Sequence, residues 1–274
     1  MTYQIKVNNG SWETVNKNDI RTAGNTARYM KLGLSKNTAY SFYLRAKNSD
    51  GKTSEDVKVV GMTNLPEIAA FGASGQQAGN YYNFYQRLTN DSVRNSMNTF
   101  RSYFKITNTY SPIENPSATT VLNTIKENAE ICYITGHGST SSIKVSGDSK
   151  NAMDSVFDTV NITKMPPNSL SHIKLMVLDS CGTANSSNRC CTNLFQKLTE
   201  LSPVHLVAFA DNIKVSEAEY WCKVFLRFFS ANIENYDYKF YGNECVRYTL
   251  DECKIPANST MRSYKVSYKG EIIK

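Results

Sequence analysis

The pattern of apolar and polar residues divides the chain into two parts. Over residues 1–63, apolar and polar positions alternate between turn residues, as in YQIKV, AYSFYLRA and DVKVVGM. Alternation with a period of two is typical of antiparallel strands that bury one face. Beyond residues 64–66, short apolar runs alternate with stretches of helical pattern, as in a mostly parallel sheet between layers of helices. We therefore predict a small all-β, sandwich-like module over residues 1–64 and an α/β domain over residues 65–274.

The apolar runs of the second part predict an alternating order of strands and helices. A strand at EIAAFGA precedes the glycine-rich loop GASGQQAGN, which lacks both the GxGxxG pattern and a Walker lysine, so no phosphate site is predicted. The alternation implies parallel pairing of the buried strands with right-handed crossovers. The other predicted elements are helix YYNFYQRLTNDSVRNSMNTF, strand YFKIT, a helix from an Asn115-Pro116 cap to about residue 128, strand ICYIT, strand SSIKVSG, a helix around residues 152–162, strand IKLMVLD, helix RCCTNLFQKLTEL, strand VHLVAFA, helix SEAEYWCKVFLRFF with a Ser216/Glu219 capping box, and closing strand SYKVSYKGEIIK.

Two of the buried strands end in residues suited to nucleophilic catalysis. His137 follows the run ICYIT in TGHG, and Cys181 follows IKLMVLD in DSCG, forty-four residues later. In open α/β sheets, the carboxyl ends of parallel strands meet at the edge where substrates bind. The glycines at 136, 138 and 182 allow sharp turns there and bring backbone N–H groups close to a substrate. A thiol beside an imidazole is an activated nucleophile, and neighbouring N–H groups can hold a developing oxyanion.

The other histidines and Cys132 are expected away from this edge. His172 lies nine residues before Cys181, roughly 30 Å away along an extended strand. His205 opens the run VHLVAFA and is expected at the opposite edge of the sheet. Cys132 shares a strand with His137 and is expected in the core, because free cysteine is often a small buried hydrophobe. The alternative for both motifs is structural: GHG would be a turn, and DSCG a strand end with a buried thiol.

These motifs resemble those of the caspase-like cysteine peptidases, which include metacaspases, clostripain, gingipains, legumain and separase. The most similar pattern is that of metacaspases, which have SGHG and DSC or DAC where this chain has TGHG and DSCG. The resemblance covers residues 66–230 and implies a three-layer α/β/α sandwich. It implies His137 as the general acid/base, Cys181 as the nucleophile, and the backbone N–H groups of Gly138 and Cys181 as the oxyanion hole. After the nucleophile the chain has Gly-Thr-Ala where metacaspases have His-Ser-Gly.

Two acidic residues bear on the choice of substrate. Asp179 precedes Cys181 by two residues, and Asp211 follows the next strand. A carboxylate beside the scissile bond favours Arg or Lys in the substrate, because a cation removed from water requires a partner. The metacaspase resemblance implies the same use of these acids. In the alternative, Asp179 bonds nearby N–H groups at the strand end and Asp211 caps a helix or turn.

A second resemblance lies in the N-terminal part. Residues 34–54, LSKNTAYSFYLRAKNSDGKTS, resemble the end of a fibronectin type III domain, with Leu34, Thr38 and Tyr40 in its tyrosine-corner pattern and Lys36 where proline is usual. Such a domain has about 100 residues, so the resemblance implies that the chain begins within the domain. It also implies a secreted or cell-surface protein. Sandwich folds say little about function, and a purely structural cap is the alternative.

Composition and charge narrow the class of partner. The chain has 274 residues, 41% of them hydrophobic, which suffices for one large domain and one small one. Its net charge of +7 is spread along the chain without a basic run, so no nucleic-acid partner is predicted. No apolar run is long enough to cross a bilayer, and nothing near the first residue resembles a signal peptide.

The seven cysteines bear on metal binding and on redox state. No Cys/His spacing of a zinc site is present, so neither a metal nor a cofactor is predicted. Calcium activation is implied only by the resemblance to metacaspases. Adjacent Cys190 and Cys191 cannot easily both pair locally. Cys245 and Cys253 flank a short segment and are the pair best suited to a disulfide in an oxidising environment.

The sequence therefore predicts a cysteine endopeptidase that uses a Cys–His dyad and cleaves proteins or peptides after Arg or Lys. The long segment 139–170 could also carry a self-cleavage site, with Lys144, Lys150 and Lys164 as candidates. Two alternatives remain open. One is a catalytically inactive caspase-like interaction or adhesion protein. The other is a Cys-dependent esterase or transferase on the same sheet architecture.

Overall fold

The chain forms two compact units in the computed structural model, Met1–Leu65 and Pro66–Lys274, and each is described by itself. The structure describes residues 2–16, 20–23, 26–29, 31, 39–62, 67–74, 83–104, 106, 110–127, 129–146, 155–186, 192–233 and 238–274. Several residues named above lie outside these ranges: residues 75–80 of the glycine-rich loop, Tyr81 and Tyr82 at the start of the predicted helix that follows it, Leu34, Lys36, Thr38, Lys150, Cys190 and Cys191.

The first unit is built from antiparallel strands. They are β1 (Thr2–Val7), β2 (Glu13–Thr14), β3 (Ile20–Ala23), β4 (Thr26–Tyr29), β5 (Ala39–Lys47) and β6 (Val57–Met62). One sheet has the order β2-β1-β5-β6, and β3 pairs with β4 as a hairpin. Ile5 of β1 is buried between more exposed neighbours, as expected for a strand that covers one face of a small core. The fibronectin type III character of this unit stays a prediction.

The second unit is organised around a seven-stranded sheet. The described strands of the whole unit are β7 (Ile68–Gly72), β8 (Ile113–Glu114), β9 (Ile131–Thr135), β10 (His137–Gly138), β11 (Ser142–Lys144), β12 (Val156–Asp158), β13 (Leu175–Asp179), β14 (His205–Phe209), β15 (Tyr264–Tyr268) and β16 (Glu271–Ile272). The central order is β16-β15-β14-β13-β9-β7-β8, and β10, β11 and β12 form a small separate sheet. From β14 to β8 the central strands run parallel, whereas β15 pairs antiparallel with both β14 and β16 at one edge.

Helices cover both faces of the central sheet. They are α1 (Phe84–Thr89), α2 (Asp91–Phe104), α3 (Ala118–Glu127), α4 (Thr159–Ile162), α5 (Leu194–Glu200), α6 (Val215–Asn232) and α7 (Tyr238–Glu252). Successive side chains of β13 point to opposite faces, so Val177 joins the core formed with α2, α6 and α7, and Met176 joins that of α3, α4 and α5. The predicted α/β fold class, with a mostly parallel sheet between helical layers, is confirmed.

One predicted strand is wrong, and one predicted helix is only partly formed among the described residues. The predicted strand YFKIT begins inside α2, which continues to Phe104, and the rings of Phe100 and Phe104 stack with centroids 6.3 Å apart at the i, i+4 spacing of a helix. The predicted helix around residues 152–162 is only partly present where the structure describes it. Residues 156–158 form β12, and the helical part is α4.

The starts of two helices also differ from the prediction. Asn115 adopts a positive φ of 46°, and its side-chain oxygen accepts from the N–H of Ser74. The hydroxyl of Ser117, next to the helix, accepts from the N–H of Thr120 instead. Helix α6 begins at Val215 with Lys214 as its cap. Ser216 is thus already inside the helix, and the predicted capping box with Glu219 is wrong.

The disulfide suggested between Cys245 and Cys253 is also wrong. Both cysteines are free. Cys245 lies within α7 and Cys253 lies just past its end, so helical rise alone separates them by about 12 Å. A disulfide requires Cα atoms within about 7 Å of each other. Burial raises the pKa of the Cys253 thiol to about 11 and that of Cys245 well above its usual value.

Candidate active site

The two candidate catalytic segments leave the central sheet side by side. Strands β9 and β13 are parallel neighbours, and Thr135 at the end of β9 is paired in register with Asp179 at the end of β13. His137 comes two residues after Thr135, and Cys181 comes two residues after Asp179. The structure therefore brings both segments to the same edge of the sheet, as the order of apolar runs predicted.

Gly138 packs directly against the turn that carries Cys181. A Cβ atom added at residue 138 would overlap the Ser180 hydroxyl and the Cys181 carbonyl oxygen, and would lie 3.0 Å from the Cys181 nitrogen. Ser180 in turn donates to the carbonyl oxygen of Gly136 at 2.7 Å. Only glycine at 138 permits this approach, so the GHG and DSCG motifs form one tightly packed unit.

The Cys181 thiol is partly exposed and contacts the loop that follows β14. Its Sγ accepts from the backbone N–H of Ile213 at 3.3 Å and lies 3.8 Å from the carbonyl oxygen of the same residue. Gly182 fixes the loop further, because its N–H donates to the carbonyl oxygen of Asp211 at 3.1 Å. The contact with Ile213 therefore holds the Cys181 sulfur beside this loop.

His137 lies at the exposed end of β10. Its ring packs edge-on against Phe84, with centroids 5.1 Å apart, and its backbone pairs with Lys144 of β11. Partial burial lowers the pKa of His137, and the positive charge of Lys144 lowers it further. A neutral imidazole near pH 7 is the form that can accept a proton from a thiol.

The oxyanion hole predicted from Gly138 and Cys181 is compatible with the backbone at this edge. In the part of the chain that the structure describes, the N–H of Cys181 donates to no carbonyl oxygen. Gly138 lies directly beside it. Their joint role in binding an oxyanion remains a prediction, because it depends on the position of a substrate.

Asp179, two residues before Cys181, is buried in an ion pair that the sequence did not reveal. Its Oδ2 accepts from Arg87 at 2.7 Å and from the Tyr133 hydroxyl at 3.1 Å, and both charged side chains are almost fully buried. Burial is the largest single effect on the pKa of Arg87 and lowers it, but the Asp179 carboxylate together with Tyr133 and Cys222 raises it by more, so the net change is upward. The other oxygen, Oδ1, has no hydrogen-bond partner among the described residues. Arg87 thus occupies the position that a substrate cation would need at Oδ2.

Asp211 is placed differently from Asp179. It follows β14 in the loop that contacts Cys181, and its side chain is exposed to solvent. An exposed carboxylate in the loop that contacts Cys181 is accessible to a cationic side chain from outside. The substrate role predicted for these two acids is therefore easier to fulfil for Asp211.

Phe84 and Arg87 were missed because they lie outside the two catalytic motifs. A signal was present: Phe84, Arg87 and Leu88 fall on one face of α1 at helical spacing, and all three are buried. An arginine on the apolar face of a helix requires a buried acidic partner. Asp179, at the end of a fully apolar strand, was the acid that needed a cation.

The remaining histidines and Cys132 lie where the sequence predicted. His205 is paired in register with Leu175 at the start of β13, at the opposite end of the sheet from Cys181. His172 lies before β13, and its Nε2 is 2.9 Å from the carbonyl oxygen of Ile125. Cys132 is fully buried in β9, and burial raises its pKa.

The described residues contain neither a cluster suited to a metal ion nor a helix suited to a membrane. No group of three or more His, Cys, Asp or Glu side chains is arranged to hold a metal ion in those ranges. Within the same ranges, no helix combines the length and the apolar character needed to span a membrane.

Comparison with known proteins shows what this fold is similar to. No known protein family and no curated protein matches the sequence. Among solved structures, the chain is similar to the Arg-specific cysteine proteinase gingipain R, with a TM-score of 0.51 and 12% identity over 75% of this chain. A complex of the Porphyromonas gingivalis RgpB pro- and mature domains gives a TM-score of 0.47 and 11% identity over 76% of this chain. The chain spans 46% of the first of these structures and 47% of the second.

At this level of identity the likeness concerns the fold. The α/β architecture of this chain matches that of gingipain R, a cysteine proteinase, so the predicted caspase-like fold is confirmed. The placement among metacaspases stays a prediction, and so do the individual roles of Cys181 and His137.

Proposed function

We propose that this protein is a cysteine endopeptidase in which Cys181 is the nucleophile and His137 is the general acid/base. The observation that carries the proposal is the shared sheet edge. Strands β9 and β13 end in register, and Gly138 packs against the backbone of Cys181, so an imidazole and a thiol leave the sheet from touching segments. The cysteine proteinase fold adds to this geometry.

The proposed reaction is acyl transfer to sulfur followed by hydrolysis. His137 accepts the thiol proton, and the Cys181 thiolate attacks the peptide carbonyl carbon. The backbone N–H groups of Gly138 and Cys181 hold the negative oxygen of the tetrahedral intermediate. His137 then gives its proton to the leaving amine, the C–N bond breaks, and a thioester remains. Water hydrolyses the thioester after giving a proton to His137, which releases the acid product and restores the thiol.

We further propose that the enzyme prefers Arg or Lys before the cleaved bond. Asp211 is the acid best placed to bind such a side chain, because it is exposed in the loop that contacts Cys181. Asp179 keeps its Oδ1 free of hydrogen bonds among the described residues, but it is buried and its charge is balanced by Arg87. Gingipain R is itself Arg-specific. Specificity is not transferable at 12% identity, so it requires a direct test.

Self-cleavage and secretion complete the proposal. Lys164 is exposed in the turn after α4, whereas Lys144 is half-buried inside β11, so Lys164 is the more accessible of these two candidate sites. N-terminal sequencing of active protein would detect a cut after Lys164, and an uncut active chain would contradict self-cleavage at this site.

The fibronectin-like module is the reason to expect a secreted or cell-surface protein. Calcium activation rests only on the resemblance to metacaspases and is tested by adding a chelator.

The experiment is a panel of fluorogenic peptides that differ in the residue before the cleaved bond. It compares the wild type with Cys181→Ala and His137→Ala, and includes Cys253→Ala and His172→Ala as controls of the same residue types away from the site. We expect cleavage after Arg or Lys that is lost in the first two variants and kept in the controls. Cleavage after another residue would discard the acidic pocket but keep the dyad.

Two other outcomes correspond to the alternatives. Hydrolysis of acyl esters without peptide cleavage would favour a Cys-dependent esterase or transferase. No turnover of any substrate, with or without calcium, would favour an inactive interaction or adhesion protein. In either case the endopeptidase assignment would be withdrawn.

A further inference from the structure

Helix α1 contacts both segments of the proposed dyad. It is anchored at the end of β7, where the backbone N–H groups of Phe84 and Tyr85 point at the carbonyl oxygen of Ala73, at 3.0 and 3.3 Å. Gly72 lies directly beneath it, because a Cβ atom there would come within 2.6 Å of the Tyr85 Cα. This six-residue helix therefore rests on the same sheet edge as the two candidate motifs.

The side chains on the buried face of α1 divide between the two segments. Phe84 packs its ring against the His137 imidazole. Arg87, one turn later, donates to Asp179, two residues before the nucleophile. The Arg87 guanidinium also lies over the Phe84 ring, with its Cζ 5.0 Å from the ring centroid. The histidine contact and the arginine contact are thus parts of one packed cluster.

Arg87 makes another contact, with the element that follows the loop of Ile213. Its Nη2 lies 3.4 Å from the carbonyl oxygen of Val215, the first residue of α6. Two residues earlier, the N–H of Ile213 points at the Cys181 sulfur. One buried guanidinium therefore holds the strand end that leads into the nucleophile and the loop whose N–H group contacts its sulfur.

We propose that Arg87 is a positioning residue of the active site, which sets the distance between the Cys181 turn and the loop of Ile213. This inference rests on the proposed peptidase function, because it assigns Arg87 a part in the same site. Its planar fork suits the task, since it can bond a carboxylate and a carbonyl oxygen at fixed angles whereas lysine offers a single point charge. Arg87 itself is buried and is not required to touch the substrate.

The competing explanation is that Arg87 only neutralises the buried charge of Asp179. The double variant Arg87→Met with Asp179→Asn separates the two roles, because it removes both charges while keeping side chains of similar length. If neutralisation were its only role, the double variant would fold and react like the wild type. If Arg87 positions the loop, the double variant folds but its chemistry is impaired.

The test compares Arg87→Lys, the double variant and the control Arg94→Met, an exposed arginine of α2. Steady-state kinetics use the best peptide of the panel, and thermal unfolding monitors the fold. We expect the double variant to lower kcat by about 100-fold with KM changed less than about threefold, because misplacing a reacting group by about 1 Å costs on this order. Arg87→Lys should recover only part of the loss, and Arg94→Met should behave like the wild type.

A second readout does not depend on peptidase activity. Iodoacetamide alkylation of Cys181, followed by peptide mapping, reports how accessible and reactive the sulfur is where it contacts the Ile213 loop. We expect alkylation at pH 7 to slow by about tenfold in both Arg87 variants. If the double variant folds and keeps the wild-type alkylation rate and kcat, the positioning role is overturned. If the double variant fails to fold, a wild-type alkylation rate and kcat in Arg87→Lys would overturn it instead. An inactive wild type with the expected alkylation rates would overturn the peptidase function alone.

Discussion

Gly138 and Cys181 are in backbone contact across the carboxyl edge of the sheet. A Cβ atom at residue 138 would overlap the Cys181 carbonyl oxygen and lie 3.0 Å from its nitrogen. The histidine turn and the cysteine turn are therefore packed as closely as a backbone without a side chain allows. The proposed dyad depends on this contact between the two turns, because proton transfer between an imidazole and a thiol requires hydrogen-bond distance.

Replacing Gly138 by alanine should inactivate the enzyme without unfolding it. The added methyl group must push the β10 turn away from Ser180 and Cys181, which separates the dyad. We expect a fall in kcat/KM of about 100-fold or more, measured with the best peptide substrate. Ser139→Ala, a change in the exposed residue next in the chain, is the control and should retain activity. A fully active Gly138→Ala would show that this contact is not needed.

Lys144 should tune the acidic side of the pH–activity profile. Burial and the Lys144 charge both lower the pKa of His137, so the imidazole stays neutral and active to a lower pH than an ordinary histidine. In Lys144→Met, the charge is lost, the pKa of His137 rises, and the loss of kcat/KM on acidification should begin at a higher pH. Lys126→Met on the exposed face of α3 is the control. If the fall in kcat/KM on acidification moved to a lower pH in Lys144→Met, or did not move, it would contradict the assignment of this fall to protonation of His137.

The buried pair of Arg87 and Asp179 should dominate the response of stability to mutation at this edge. Removing one partner leaves an uncompensated buried charge, which costs about 3–5 kcal/mol of unfolding free energy. Either Arg87→Met or Asp179→Asn alone should therefore destabilise the protein more than the two changes together. Denaturant unfolding of the two single variants and the double variant measures this coupling. Strictly additive losses would mean that the two charges do not interact.

His205 should make the protein less stable in acid. Burial, with a smaller contribution from Lys269, lowers the pKa of His205 to about 3. The unfolded chain binds a proton near its ordinary pKa of about 6.5 while the folded protein does not, so stability falls as the pH decreases from about 6.5 towards 3. By pH 5 the loss should reach about 2 kcal/mol relative to neutral pH. Unfolding of His205→Gln should show a weaker dependence over this range, and an equal slope would contradict it.

The fold and the meeting of the two motifs were predictable because they depend on local patterns. Strands that are buried on both faces appear in a sequence as short, nearly continuous apolar runs. Such runs form strands β7, β9, β13 and β14. Parallel strands place their carboxyl ends at one edge of the sheet, so the sequence alone predicts that the segments of His137 and Cys181 lie there together.

The elements that were missed depend on contacts between distant residues. Helix α7 buries Tyr241, Cys245, Val246 and Leu250 at helical spacing, but the tyrosines around them also suit a strand, so the pattern was ambiguous. The pairing of Arg87 with Asp179 spans ninety-two residues, and no local rule connects them. Helix starts differed because the loop before a helix decides which side chain faces its first turn: Ser117 rather than Asn115 accepts from an N–H of α3, and α6 begins after Lys214 without a hydrogen bond from the cap side chain.

The most direct test of the central claim is the site of covalent modification by a peptidyl acyloxymethyl ketone, a reagent that alkylates the nucleophile of a cysteine peptidase. Intact mass gives the number of adducts, and peptide mapping gives the residue. We expect one adduct per chain, on Cys181, lost in Cys181→Ala and strongly slowed in His137→Ala, with Cys253 unmodified. An unmodified Cys181, or equal modification of Cys181 and Cys253, would contradict the assignment of Cys181 as the catalytic nucleophile.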